Sequence, residues 1–129
     1  MTSSKPSLAG KCCLVVDDEF LIALDIQYIL EAAGAASVVC AGSAAEALAA
    51  LQHGPKFDLA VLDVKLSETA NPSLTVATAL LEQETPFVFL TGMRAGDIHG
   101  GKFPAAPVVE KPYQEASLID AALRALASR

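Results

Sequence analysis

Four places in the sequence set a reactive side chain at the end of an apolar run. Asp17-Asp18 follow Cys12 to Val16, Asp63 follows Leu59 to Leu62, Thr91 follows Phe87 to Leu90, and Lys111-Pro112 follow Val108 to Glu110. Each alone is ordinary: an Asp-Asp pair after a strand is most often a turn or a helix cap, and Thr91-Gly92 and Lys111-Pro112 suit turns and loops. Together they suit one task. Three carboxylates in one small pocket repel, and two of them about 4 Å apart cost about 4 kcal/mol at an effective dielectric near 20. A hard divalent cation relieves that repulsion, and Mg²⁺ in particular takes one or two carboxylates, keeps several waters and accepts phosphate oxygens. A carboxylate is also a nucleophile that can form an acyl phosphate. A phosphoryl group in transfer needs positive charge and hydrogen-bond donors around its oxygens; Lys111 offers the charge and the Thr91 hydroxyl the donor.

The elements that must hold these residues alternate between strand and helix. Phe20 to Ala33 reads as a helix with Ile22, Ile26, Ile29, Leu30 and Ala33 on one face, stopped by Gly34. Ser37 to Ala41 is a strand, and Ser43 with Glu46 forms a capping box for a helix running to about Gln52. Pro72 opens a helix that continues to about Gln83, and Glu115 to Ala127 is the last helix, with Leu118, Ala122, Leu123 and Leu126 inward. Between Thr91 and Val108 stand four glycines and two prolines, so a helix there is short, frayed or missing. Apolar strands alternating with helices predict an α/β fold, a flavodoxin-like doubly wound five-stranded parallel sheet in the order 2-1-3-4-5. In such sheets ligands bind beyond the carboxyl ends of the strands, where the four reactive groups fall.

Composition bounds the rest. The 129 residues predict one domain. A net charge of -6 argues against DNA as a direct partner, since phosphate neutralisation needs clustered Lys and Arg. Neither a signal-peptide pattern nor an apolar run of the roughly 18 residues needed to span a bilayer is visible, so no membrane association and a cytoplasmic location are expected. Cys12, Cys13 and Cys40 lack zinc-ligand spacing, and the adjacent pair in an apolar run suits small buried hydrophobes. His53 and His99 fall in loops or helix ends, where surface roles are expected.

Asp17-Asp18, Asp63, Thr91 and Lys111-Pro112 resemble the signature of bacterial response-regulator receiver domains. The resemblance runs from about Lys11 to residue 129 and leaves residues 1–10 as an N-terminal tail. It implies that Asp63 accepts a phosphoryl group from a phosphohistidine on a sensor histidine kinase or a histidine phosphotransferase. It further implies Mg²⁺ held by Asp18, Asp63 and the backbone carbonyl of Lys65, with Asp17 acting partly through water. Lys111 would pair with the phosphoryl group, Thr91 would close on it, and the Lys111–Pro112 bond is often cis in this family.

A narrower resemblance lies in Phe87-Val88-Phe89-Leu90-Thr91-Gly92, which is similar to the Phe-Ala-Thr-Gly stretch of the stand-alone alphaproteobacterial receivers known as the FAT GUY group. Leu90 departs from its Ala, and Arg94 stands where a Tyr is usual. Like those receivers, the chain has no aromatic three residues before Lys111; Val108 stands there, so the common coupling of Thr to a switch aromatic cannot operate. The flexible composition immediately after Thr91 makes the glycine-rich segment Gly92 to Pro107 the part expected to move on phosphorylation instead. Lys65 and Met93, two residues beyond Asp63 and Thr91, imply slow autodephosphorylation.

Two further readings come from the residues. Phe20, Leu24 and Tyr28 recur at i, i+4 and i+8 on the face of the first helix opposite Ile22, Ile26 and Ile29, where polar residues are expected. Such a stripe is expected to dock a kinase or phosphotransferase, with coverage by the N-terminal tail or a homodimer as the other uses. The rival to a phosphoacceptor is a Mg²⁺-dependent phosphohydrolase with an aspartyl nucleophile. That chemistry usually sets a second Asp two residues later as acid/base, and Lys65 occupies that place. A relay protein rather than a turnover enzyme is therefore expected.

Overall fold

The structure of the protein is a computed structural model and describes residues 8–64, 72–91 and 106–127. Strand β1 (Cys12–Val16) is followed by α1 (Phe20–Ala32), β2 (Ser37–Ala41), α2 (Ala44–His53), β3 (Leu59–Val64), α3 (Pro72–Glu82), β4 (Phe87–Thr91), β5 (Val108–Glu110) and α4 (Glu115–Ala127). The strands form one sheet in the order β2-β1-β3-β4-β5, and every neighbouring pair is parallel. This is the doubly wound arrangement that the alternation of apolar strands and helices predicts. The glycine-rich segment between β4 and β5 lies, over residues 92–105, outside the described residues. None of the described helices is long and apolar enough to cross a membrane.

The pleat divides the apolar residues between two faces, because successive strand side chains point to opposite sides. Cys13 and Val15 of β1, Leu59 and Val61 of β3, and Val88 and Leu90 of β4 pack against Ile26, Ile29 and Leu30 of α1 and Leu118, Ala121 and Ala122 of α4. Their neighbours Leu14, Val16, Ala60, Leu62, Phe87 and Phe89 pack against Ala47 of α2 and Val76, Ala77 and Leu80 of α3. Both faces are covered, so the interior strands β1, β3 and β4 are apolar up to their carboxyl ends.

The helix ends follow local chemistry. Ala33 closes α1, and Gly34 follows with φ of 109°. The Gly34 amide donates to Glu31 O (3.0 Å) and the Ala35 amide to Leu30 O (3.1 Å), the paired bonds of a left-handed glycine stop. At α2 the Ser43 hydroxyl accepts from the Glu46 amide (3.1 Å). The Glu46 carboxylate reaches past Ser43 to the Gly42 amide (2.7 Å), so the box closes one residue earlier than its usual form.

Two boundaries differ from the sequence reading. Strand β3 does not end before Asp63 but pairs through Asp63↔Leu90 and Val64↔Thr91, because the ladder is a backbone interaction and a charged side chain does not end it. Within the stretch read as a tail, Leu8 is fully buried in the α1 and α4 side of the core. Its amide donates to Ala33 O (3.1 Å), and Gly10 donates to Gly34 O (3.2 Å).

Candidate functional site

Pleat parity builds the site. Asp63 continues the side of β3 that carries Leu59 and Val61, and Asp17 continues the side of β1 that carries Cys13 and Val15. Both carboxylates therefore stand at the carboxyl edge of the adjacent interior strands β1 and β3, on the α1 and α4 side of the sheet. Both are buried, at 4% and 5% exposure for Asp17 and Asp63. The Asp17 amide extends the ladder to Ala41 O (3.0 Å), which fixes the residue just past the strand. The Asp17 carboxylate in turn accepts from the Glu19 amide (2.9 Å) and turns the chain into α1.

That turn brings two further acids to the same place. One carboxylate oxygen from each of Asp17, Asp18, Glu19 and Asp63 lies within 4.8 Å of the others. Asp18 and Glu19 are exposed, so the cluster has two buried and two solvent-facing members. Lys111 enters from the far side, its Nζ 2.9 Å from Asp63 Oδ1 and 3.8 Å from Glu19 Oε1. Its backbone amide donates to Thr91 O (2.7 Å), and the following bond to Pro112 is cis. Thr91 is fully buried at the end of β4, in register with Val64 and Glu110. One ammonium among four carboxylates leaves an excess of negative charge, and an all-oxygen donor set without thiolate or imidazole fits a hard cation of the Mg²⁺ kind.

Residues 13–123 match the family model of the response regulator receiver domain. The chain belongs to that family. Receivers of known structure share its fold: a response regulator receiver protein from Sinorhizobium medicae is 28% identical, with 95% of this chain and 98% of that one covered and a TM-score of 0.77. The chemotaxis response regulator CheY4 of Vibrio cholerae is 27% identical, with 92% of this chain and all of that one covered and a TM-score of 0.76. The phyllosphere-induced regulator PhyR of Methylorubrum extorquens is 26% identical over 105 residues, 81% of this chain. The receiver spans only 39% of the length of that relative. Family membership places the protein in two-component signalling.

Of the residues that the sequence singles out, the receiver brings Asp17, Asp18, Asp63 and Lys111 together and sets Thr91 on the adjoining strand. Lys65 and Met93 lie outside the described residues. Phe20, Leu24 and Tyr28 are 72%, 43% and 66% exposed, and Leu21 at 78% joins them. This apolar face begins directly after Glu19, so it adjoins the acidic edge. The thiols stand apart: Cys13 is buried, Cys12 half-buried and Cys40 exposed, and all three are free.

Three residues of the site are not singled out by the sequence reading. Glu19 joins the carboxylate cluster; its position beside Asp18 was the available signal. The other two are Asp25 and Tyr113, whose hydroxyl donates to the Asp25 carboxylate across the gap between α1 and the Lys111 turn. Burial, and then that bond to Asp25, push the Tyr113 hydroxyl well above the usual phenol range.

Proposed function

We propose that this receiver takes a phosphoryl group onto Asp63 from the phosphohistidine of a sensor histidine kinase or a histidine phosphotransferase. One observation carries the reading: a buried carboxylate at the carboxyl edge of the sheet, contacted by a lysine ammonium at 2.9 Å and set among three other acids. An Asp63 oxygen attacks phosphorus, the P–N bond to the imidazole breaks, and the ring nitrogen keeps the electron pair. Lys111 exchanges its contact with the carboxylate for one with a phosphoryl oxygen, and the Thr91 hydroxyl donates to another. By the family resemblance, Asp18, Asp63 and the backbone carbonyl of Lys65 would hold Mg²⁺, with Asp17 acting through water. Held there, the ion would supply positive charge to offset the carboxylates and the phosphoryl oxygens.

The product is a signal rather than a turned-over substrate. Output is protein–protein binding or onward shuttling of the phosphoryl group in the cytoplasm. Phe20, Leu24 and Tyr28 form the face on which the donor docks, beside the acidic edge it must reach.

Incubation with acetyl phosphate and Mg²⁺, followed by intact-protein mass measurement, tests the reading. Stoichiometric incorporation that is lost in Asp63→Asn supports it. Steady release of phosphate without accumulation marks a phosphohydrolase, and no incorporation at all marks an unphosphorylated scaffold; either result overturns it.

A further inference from the structure

Tyr113 stands two residues beyond Lys111, with its ring half-buried against the α1 and α4 side of the core. A phenylalanine would fill the same space, so packing alone gives no reason for the hydroxyl. The hydroxyl donates to Asp25. On α1, Asp25 marks the margin of the exposed apolar face: Leu21 and Tyr28, one turn to either side, are exposed, while Ile29 is buried and Ile22 half-buried.

The same short turn touches α1 a second time. Lys111 lies 3.8 Å from Glu19, the residue that begins α1 without capping it through its side chain. Glu19 and Asp25 are six residues apart, about 9 Å along a helix. The Lys111 backbone is held on the strand side by its amide bond to Thr91 O (2.7 Å), and the Tyr113–Asp25 bond ties the other end of the same turn to α1. The orientation of that turn matters because a lysine ammonium rides on a flexible four-carbon stem, and the backbone it starts from sets what it can reach.

We infer that Tyr113 is a positioning residue, which through Asp25 pins the Lys111 turn to α1 and so sets where the ammonium stands at Asp63. The inference rests on the phosphoacceptor reading for its consequence in rate, but the placement itself is measurable without phosphoryl chemistry.

The test compares Tyr113→Phe, Asp25→Ala, Asp25→Asn and the Tyr113→Phe/Asp25→Ala double variant with the wild type. Two readouts are used: the initial rate of acetyl phosphate uptake in Mg²⁺, and the side-chain ¹⁵N resonance of Lys111 without any phosphoryl donor. The rate of Tyr113→Phe is expected to fall about fivefold, which is ~1 kcal/mol at 1.36 kcal/mol per tenfold. Its Lys111 resonance is expected to move. Asp25→Ala should reproduce both changes, Asp25→Asn, which keeps an acceptor oxygen, should recover most of the rate, and the double variant should be no slower than either single one. An unmoved Lys111 resonance in Tyr113→Phe overturns the inference, as do effects of Tyr113→Phe and Asp25→Ala that multiply in the double variant. If the wild type takes up no phosphoryl group, the phosphoacceptor reading fails while the resonance still decides the placement.

Discussion

Replacing Asp63 by Asn is expected to make the metal-free protein more stable, although it removes the group on which its function is proposed to depend. Asp63 has a carboxylate oxygen within 4.8 Å of one from each of three other acids, and at that separation each pair repels by about 3.5 kcal/mol at an effective dielectric near 20. Asp17 is buried like Asp63, so its share persists, whereas Asp18 and Glu19 face water and theirs is cut to a fraction. Against this, Lys111 at 2.9 Å attracts Asp63 by about 6 kcal/mol on the same footing. That attraction is also reduced, because the ammonium is partly exposed and shared with Glu19. Repulsion and attraction then nearly cancel, and the desolvation of a buried carboxylate tips the balance towards the neutral amide. A gain of about 1–2 kcal/mol is expected, or roughly 3–8 °C in melting temperature for a chain of this size. Urea unfolding in EDTA at low salt measures it, since urea does not screen charge. Adding Mg²⁺ at a hundredfold excess over its dissociation constant should then stabilise the wild type by about 2.7 kcal/mol and Asp63→Asn by much less, reversing their order. A variant less stable than wild type in EDTA, or equal stabilisation of both by Mg²⁺, would refute the electrostatic argument.

Three other outcomes are expected. Burial pushes the Cys13 thiol from its ordinary value of 9.0 up to about 12, so between those values the folded chain keeps a proton that the unfolded chain releases. Stability should therefore be full below about pH 9 and decline towards pH 12 by up to about 1.4 kcal/mol per pH unit, with Tyr113 adding to the fall at the alkaline end; urea titrations of Cys13→Ala should show a shallower slope. Ser43→Ala removes the acceptor for the Glu46 amide and should lower the urea-derived stability by about 1 kcal/mol. Leu24→Glu changes an exposed position and should leave stability within about 0.5 kcal/mol, while slowing phosphotransfer from a histidine donor and leaving uptake from acetyl phosphate unchanged.

Most of the fold was legible because its signals are local. Apolar runs such as Cys12–Val16 and the helical spacing of Ile22, Ile26 and Ile29 need only neighbouring residues to be read. The carboxylates at strand ends were legible for the same reason, since the sheet rule converts "end of strand" into "same edge". What could not be read depends on partners distant in sequence. Strand β3 continues through Asp63 and Val64 because Leu90 and Thr91 supply the ladder, and no local pattern states that. Leu8 is read as part of a tail until Ala33 offers its carbonyl to the Leu8 amide and Gly34 offers its own to Gly10. Glu19 and Tyr113 become part of the site only when α1 and the Lys111 turn meet.

The strand order has a consequence for where the molecule can yield. Asp17 follows β1 and Asp63 lies in β3, two of the three strands with a neighbour on each side, whereas β2 and the three-residue β5 are the edges. In native-state hydrogen exchange, the amides of β1 and β3 should open only when the whole domain unfolds, and those of β2 and β5 by local fraying. The carboxylates thus hang from the part of the fold that opens least often, while the lysine that meets them follows an edge strand that opens more readily.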